Sequence, residues 1–265
     1  MQPEIHEALK DIKHEWRARR FCIKAQSKID RSLESYVRYN FTDYGLEGQT
    51  DSQREAENKK ALALIAKAEG GEGDLALVAL VVASREAREP FDKVRRQHEK
   101  AIAKIAATLP IVATFKVRGF GIASLGAIVG EAGDLSKYPT AGHLWKRMGL
   151  ALVDGKRQGA PGKNASAGDW IAHGYNAQRR SVVWNIGDAL IKQNKDRYRE
   201  TYDRRKAYEI ARDPEIKPIV AHARAKRYME KRLLKDLWRA WRRAVDVVPQ
   251  HEAISLLSAA PSIAA

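Results

Sequence analysis

Cysteine, the residue of disulfides and of many zinc sites, is almost absent from the chain. Cys22 is the only cysteine among 265 residues, which excludes an internal disulfide and a cysteine-based zinc cluster and fits a reducing compartment. The longest apolar run, LALVALVVA at 75–83, is too short to cross a bilayer. The N-terminus is charged from its start, so we expect no signal peptide. These features predict a cytoplasmic protein with no membrane partner.

Strand-forming patterns are also scarce. The segments 150–153 and 156–158, joined by Asp154 and Gly155, predict one short β-hairpin. Apolar residues at helical spacing, such as Ile5, Leu9 and Ile12, dominate elsewhere. The predicted fold class is therefore mainly α. It consists of an N-terminal helical hairpin or coiled coil, followed by an all-helical domain with a helix-hairpin-helix and the single β-hairpin.

Helix signals and composition divide the chain into three segments. Residues 3–40 form a long predicted helix, Ser52 with Glu55 offers a capping box for a second, and Asp74 caps a third that Pro90 kinks or breaks. A narrow apolar stripe needs a partner helix, so residues 1–109 are predicted to form a coiled-coil region that dimerises. Residues 110–246 form the predicted nucleic-acid-binding domain, with a last helix to about Val245. Residues 247–265 form a predicted flexible tail.

What the chain has in excess is positive charge. Forty-eight lysines and arginines against 33 acidic residues give a formal net charge of +15. Such a balance is typical of proteins whose partner carries phosphate, and with this compartment it predicts a nucleoid-associated protein. A solvated lysine-rich helical protein is the alternative.

A Gly-Phe-Gly step offers the most specific candidate for a phosphate contact. Gly119 and Gly121 flank Phe120 between two short apolar helices, and glycine permits backbone angles that a side chain forbids. The amides that open the second helix, backed by its dipole, form an anion site. Lys116, Arg118 and Ser124 would reinforce it. A tight turn without a ligand is the alternative.

Basic residues crowd the second half of the chain. Nine cations and two anions lie between residues 224 and 243, beside an apolar face that includes Trp238 and Trp241. Such a helix repels itself unless phosphate lies alongside. The candidate nucleic-acid-binding cations of this half are Lys156, Arg157, Lys163, Arg179, Arg180, Lys231, Lys235, Arg239, Arg242 and Arg243.

The run VRGFGIASLGAIVGEAGDLSKYPTAGHLWKRMGLA, with the later YRETYDRRKAYE and AHARAKRYMEKRLLKDLWRAWRRA, resembles a known family. It is similar to the C-terminal domain of the bridge-RNA-guided insertion-sequence transposases, which are serine recombinases. The likeness covers about residues 100–245. It implies a DNA partner, a structured RNA as a further partner, and a transposase-like fold. Motif positions that match are Glu131, Gly133, Asp134, Tyr138, Leu144, Gly149 and Leu150.

Two departures from that family concern its chemistry. The family's nucleophilic serine follows a glutamine, whereas Gln158 here is followed by Gly159 and Ala160. Ser166, in a glycine-rich loop, is the only nearby substitute, and a simple loop hydroxyl is the alternative. The family's acidic, magnesium-binding N-terminal domain has no counterpart in the helical first 109 residues.

Three functions follow from these observations. The first is a transposase-related DNA-binding protein, dimeric and without strand cleavage of its own. The second is an active recombinase that uses Ser166 and an acidic domain from a partner. The third is a basic helical assembly protein. No cofactor is expected, and magnesium is expected only where a partner supplies the acidic domain.

Overall fold

The structure is a computed structural model and describes residues 3–153, 155–162, 164–193 and 196–258, with side chains described as far as Val245. Helices make up most of this chain, so the fold is mainly α, as predicted. The helices are α1 (Pro3–Phe41), α2 (Asp51–Glu69), α3 (Leu75–Ala107), α4 (Ile111–Thr114), α5 (Ile122–Ala132), α6 (Ala141–Arg147), α7 (Ala167–His173), α8 (Ala177–Lys192), α9 (Arg197–Arg212) and α10 (Pro218–Ser258). A 3-10 turn at Leu135–Lys137 lies between α5 and α6.

The predicted β-hairpin is present. Strands β1 (Leu152–Val153) and β2 (Lys156–Arg157) are antiparallel, with Leu152 opposite Arg157 and Val153 opposite Lys156. Gly155 has a φ of +71°, which a two-residue hairpin turn requires. Asp154, the other predicted turn residue, lies outside the described residues.

Helix ends agree with the sequence at some caps and differ at others. Asp74 accepts a hydrogen bond from the Leu77 amide at 2.9 Å, as predicted for the start of α3. The predicted Ser52 cap of α2 is wrong. Thr50 is the cap, because its hydroxyl accepts from the Gln53 amide while the Gln53 side chain accepts from the Thr50 amide.

Two further helix predictions need adjustment. Helix α3 continues through Pro90, so the predicted break is absent. Helix α10 continues to Ser258, beyond the predicted end near Val245. Part of the predicted tail is therefore helical, and residues 259–265 lie outside the described residues.

The chain forms two compact units. The large unit contains Met1–Trp16 together with Ala101–Ala265, and the small unit contains Arg17–Lys100. Helix α10 supplies the centre of the large unit's core, where Leu233, Leu234 and Leu237 are fully buried. Full burial of one such side chain stabilises a protein by about 1.5–3 kcal/mol.

The small unit has a separate apolar core. Leu33 and Val37 of α1 pack with Ile65 of α2 and with Leu77 and Val81 of α3. These residues recur every three or four positions, so each helix buries one face. The helical pattern predicted for the first hundred residues is thus confirmed.

Candidate nucleic-acid interface

The Gly-Phe-Gly step forms a tight turn between α4 and α5. The Phe120 amide donates to the Val117 carbonyl at 3.1 Å, and Gly119 has a φ of +82°, which favours glycine. Phe120 is buried, and its ring packs edge-on against Phe115 with centroids 5.6 Å apart. An aromatic pair thus fixes the turn in place.

The two glycines of this turn have different surroundings. A Cβ on Gly119 would lie 2.7 Å from Cγ of Gln193, so only glycine lets the turn approach the end of α8. On the same side, the Arg118 amide donates to a carboxylate oxygen of Asp196 at 3.2 Å. Gly121 is exposed, with open space around its Cβ position. The Gly119 side is therefore closed and has an acidic neighbour, whereas the Gly121 side is open.

The open side contains the start of α5. Gly121 is the N-cap residue, and no side chain of the described residues caps the helix. The first helical hydrogen bond runs from the Leu125 amide to the Gly121 carbonyl, so the three preceding amides have no acceptor within the helix. Gly121 and Ile122 are exposed and Ser124 is half-buried. This end of the helix presents a partial positive charge.

A cavity of about 470 Å³ lies beside this turn. Its wall is mainly apolar and includes Phe115, Phe120 and Ile122. Lys116 and Arg118 also line it and are both exposed. The predicted partners of the turn therefore lie at one cavity with the open end of α5.

A second cavity, of about 510 Å³, lies between α4 and α10 and shares Phe115 with the first. Arginines dominate its lining, and Asp236 is the only acidic residue among the described residues there. We call this surface the basic groove. It is defined by Phe115, Arg197, Asp236, Arg239, Arg242 and Arg243.

The arginines of the basic groove are exposed to solvent. Within the described part of the chain, Arg239, Arg242 and Arg243 have no carboxylate within ion-pair distance, and the Arg242 guanidinium lies 5.2 Å from the Trp238 ring centre. Asp236 pairs with Arg197 at 3.9 Å and with Arg232 at 3.5 Å. The groove thus keeps a net positive charge, which suits a polyanion.

Arg179 and Arg180, predicted to extend the same groove, face inward. The Arg179 guanidinium lies 3.4 Å from the Glu131 carboxylate, and that of Arg180 lies 2.8 Å from the Glu230 carboxylate. Both arginines are only partly exposed. Both arginines are paired with buried carboxylates inside the fold, so they are not part of the proposed interface.

Arg180 belongs to a buried set of charges that we call the inner cluster: Arg180, Asp188, Lys226, Arg227 and Glu230. Lys226 is fully buried, pairs with Asp188 and lies 3.3 Å from the Trp184 ring centre. Arg227 donates to the Ala151 carbonyl at 2.9 Å. A Cβ on Gly187 would lie 2.7 Å from a Glu230 oxygen, so glycine lets α8 pack onto the cluster.

Burial shifts the titration of the inner cluster. It raises the pKa of Glu230 to about 7, although Arg180 and Lys226 oppose the shift. It lowers the pKa of Lys226 despite the pair with Asp188. Burial, followed by the like charges of Arg180 and Arg157, lowers the pKa of Arg227 to about 10. The inner cluster therefore has a net positive charge and is poorly solvated.

The remaining predicted cations lie in different settings. Lys156 and Arg157 are exposed on β2. Lys231 is half-buried with its ammonium 5.2 Å from the Trp145 ring centre, and burial lowers the pKa of Lys231. Lys235 is half-buried on α10. Lys163 lies outside the described residues.

Ser166 is the N-cap residue of α7. Its hydroxyl accepts from the Asp169 amide at 3.2 Å and donates to the Asp169 carboxylate at 2.8 Å. Hydrogen bonds from Ser166 lower the pKa of Asp169, which makes that carboxylate a weak base. The geometry is that of a capping box, and the loop-hydroxyl alternative accounts for it.

Glu131 and Asp134 each bind a tryptophan. The Glu131 carboxylate accepts from the Trp16 indole at 2.9 Å, and Asp134 accepts from the Trp241 indole at 3.0 Å. Both carboxylates are buried. Glu131 joins α1 to the end of α5, and Asp134 joins α10 to the segment that follows α5, which is a structural role.

Sequence reasoning missed the part of the surface supplied by α9. Arg197 lines the basic groove, and Arg204 and Tyr208 line a neighbouring cavity. Their spacing of seven and four residues places them on one helix face, which was the available signal.

Comparisons with family models, with curated proteins and with solved structures gave no match to this chain. Within the described residues, no helix is long and apolar enough to cross a membrane. The same residues contain no group of three or more His, Cys, Asp or Glu side chains arranged to hold a metal ion.

Proposed function

We propose that this chain is a transposase-related nucleic-acid-binding protein that holds the phosphate backbone of DNA in the basic groove. The observation that carries the proposal is the cavity between α4 and α10. Three solvent-exposed arginines of α10 line it, with one carboxylate among the described residues. Contacts of this kind position a protein on a nucleic acid without reading its sequence.

The turn before α5 extends this surface. Phe115 lines both the basic groove and the cavity beside the turn, so a backbone that follows the arginines reaches Lys116, Arg118 and the open amides at Gly121. Helix N-termini bind phosphate through such amides and through the helix dipole. A structured RNA offers the same phosphate chemistry and is the second ligand to be tested.

Strand cleavage is not part of the proposal. The positions that follow Gln158 are Gly159 and Ala160, and neither has a nucleophilic side chain. The Ser166 hydroxyl caps α7 and hydrogen-bonds to a carboxylate of low pKa. Alanine at Ser166 is thus expected to leave nucleic-acid binding unchanged and to weaken only the start of α7.

Binding of a labelled duplex, followed by fluorescence anisotropy, tests the proposal. If six to ten cations contact phosphates, affinity falls about 10³- to 10⁵-fold between about 50 and 200 mM salt. Replacing Arg239, Arg242 and Arg243 by glutamine removes three contacts and lowers the log–log salt slope by about 2.7, at about 0.9 per contact.

A matched control changes the same amount of charge in the small unit. Arg54, Lys59 and Lys60 are exposed on α2, and their replacement by glutamine is expected to leave the salt slope unchanged. Equal losses in both variants would show that net charge alone drives binding and would remove the groove from the proposal. A wild-type chain that binds neither duplex nor RNA would favour a basic assembly protein.

We also propose that two copies associate through α1 and α3. Large apolar side chains are exposed on these helices in the small unit, among them Phe21 at 66% and Val94 at 39%. Exposed apolar surface of this kind is typical of association sites. Light scattering on the wild type is expected to give a dimer, and Phe21→Glu with Val94→Glu a monomer. A monomeric wild type would contradict this proposal.

A further inference from the structure

Helices α9 and α10 enclose a cavity that combines tyrosines with arginines. Its volume is about 500 Å³, and it shares Arg197 and Asp236 with the basic groove. Helix α9 contributes three arginines and two tyrosines, and α10 contributes one of each. We call this surface the tyrosine groove, defined by Arg204, Arg205, Tyr208, Tyr228 and Arg232.

Two tyrosine rings of this groove lie close to one guanidinium. The Arg205 guanidinium carbon is 4.7 Å from the Tyr208 ring centre and 5.0 Å from the Tyr228 ring centre. Arg205 also donates to the buried Glu209 carboxylate. Burial disfavours the charged form of Glu209, but hydrogen bonds from Arg224 and Arg205 lower the pKa of Glu209. The ion pair of Arg205 with Glu209 therefore stays charged. The carboxylate therefore fixes Arg205, and Arg205 fixes the two rings.

These rings are not part of the core. Tyr208 is 51% exposed and Tyr228 is 47% exposed, whereas Tyr198 and Tyr202, on the same α9, are 1% and 4% exposed. Helix α9 thus uses two tyrosines to pack its inner face and leaves a third to solvent. Held aromatic faces at a concave surface are suited to stack on a planar ligand.

The charge around the rings suits a ligand with phosphates. Arg204 and Arg232 are exposed, each four residues from Tyr208 or Tyr228 along its helix and thus on the same face. Glu200 is the acidic residue of α9 that lines the cavity, and Asp236 is that of α10. With Arg197 and Arg205 included, cations outnumber these two carboxylates by two.

We propose that the tyrosine groove binds unpaired bases of a single-stranded nucleic acid, stacked on Tyr208 and Tyr228, with the adjacent phosphates on Arg204 and Arg232. This inference rests on the proposed function and names the strand that this part of the surface takes. In a duplex each base face is covered by its neighbours, so exposed tyrosine faces favour a strand with unpaired bases. Proteins that bind single strands combine a positive groove with such stacking rings.

The test compares a single strand of about 20 nucleotides with its blunt duplex in an anisotropy titration, with DNA and RNA versions of the single strand as separate arms. Alanine at both Tyr208 and Tyr228 is expected to lower single-strand affinity about 10-fold or more for each stacked base, and to change duplex affinity less than about twofold. If the variant loses affinity for only one of the DNA and RNA single strands, that strand is the ligand of the groove. Because both rings are half-exposed, the double variant is expected to fold. Circular dichroism and thermal unfolding check that it does.

Conservative and distant variants separate stacking from other causes. Phenylalanine at both positions keeps the rings and is expected to retain single-strand affinity, whereas loss equal to that of alanine would overturn the stacking proposal. Tyr39→Ala, at an exposed tyrosine of the small unit, is expected to have no effect. Equal losses for single strand and duplex, or none, would also overturn it.

Failure of this inference is distinguishable from failure of the proposed function. A wild-type chain that binds duplex with a steep salt slope, but whose tyrosine variants bind the single strand normally, contradicts only the tyrosine groove. A wild-type chain that binds no nucleic acid in any arm contradicts both.

Discussion

The inner cluster and the basic groove both combine arginines with acidic residues but differ in how their charges are compensated. In the inner cluster, Arg180 pairs with Glu230, Lys226 pairs with Asp188, and Arg227 donates to backbone carbonyls. In the basic groove, among the described residues, Arg239 and Arg243 have no carboxylate within ion-pair distance. Because the charges of the inner cluster are buried and paired inside the fold, they are not available to an external ligand. Exposure leaves the second group available to an external anion.

The largest effect on stability is expected when one carboxylate is removed from each group. Glu230→Ala empties a fully buried site beside Arg180, and near pH 5, where Glu230 is protonated, it is expected to lower the free energy of unfolding by about 2–5 kcal/mol. Asp236→Ala removes ion pairs with two exposed arginines and the hydrogen bond from the Tyr198 hydroxyl, and is expected to cost about 1–2 kcal/mol. Urea denaturation measures both values. Similar losses in the two variants would break the distinction.

The pH dependence of stability sharpens the same contrast. Glu230 has a pKa of about 7 in the folded chain against an ordinary value of 4.5. The folded chain therefore binds more protons between these pH values, and the free energy of unfolding falls as pH rises from about 4.5 to about 7, by up to about 3 kcal/mol.

Glu230→Gln should remove this dependence while leaving stability near pH 5 close to that of the wild type. Unfolding curves at several pH values check both expectations. An unchanged slope in the variant would show that another group is responsible.

The Gly-Phe-Gly turn contains the same division between a packed side and an open side. Gly119→Ala forces a side chain into a left-handed conformation and against Gln193, and is expected to cost about 1–3 kcal/mol of stability. Gly121→Ala is expected to cost about 0.5–1 kcal/mol, because its Cβ meets open space and alanine is only a poorer N-cap residue than glycine.

Gly121→Val tests the phosphate role of this turn. A bulky side chain beside the open amides is expected to weaken DNA binding while the helical content by circular dichroism stays the same. Binding that persists at wild-type strength would remove the turn from the interface.

The smallest expected effect comes from the one acidic residue of the basic groove. Asp236→Asn keeps the shape of the side chain but removes a negative charge near the bound phosphate, so affinity for duplex DNA is expected to rise by about fivefold, or about 1 kcal/mol. The shift should disappear at high salt, where exposed charges are screened. A fall in affinity would indicate that Asp236 positions Arg197 and Arg232 for binding.

Local features of the fold could be predicted from the sequence. The spacing of Ile5, Leu9 and Ile12 indicated α1, and Gly121 and Gly133 bounded α5 at the positions that the structure shows. Such signals depend on residues within a few positions of one another. The cap of α2 was misplaced because Thr50 and Ser52 both start an acceptable capping pattern.

The division of charges could not be predicted in this way. Arg180 meets Glu230 across 50 residues of chain, and Tyr208 faces Arg205 together with Tyr228 from another helix. Which arginine is neutralised depends on tertiary packing, and the charge count is the same in either case. The cavity between α9 and α10 could not be predicted for that reason, although the spacing of Arg204 and Tyr208 indicated one face of α9.

The buried bond between Trp16 and Glu131 has a consequence for dissecting this protein into fragments. Ile5, Leu9 and Ile12 pack in the same core as α5 and α10, although more than eighty residues of the other unit separate them along the chain. A recombinant fragment that starts at Pro110 would lack the part of its hydrophobic core that Ile5, Leu9 and Ile12 supply. The first sixteen residues therefore have to accompany the C-terminal half in any shortened version, for instance joined to Ala101 by a flexible peptide.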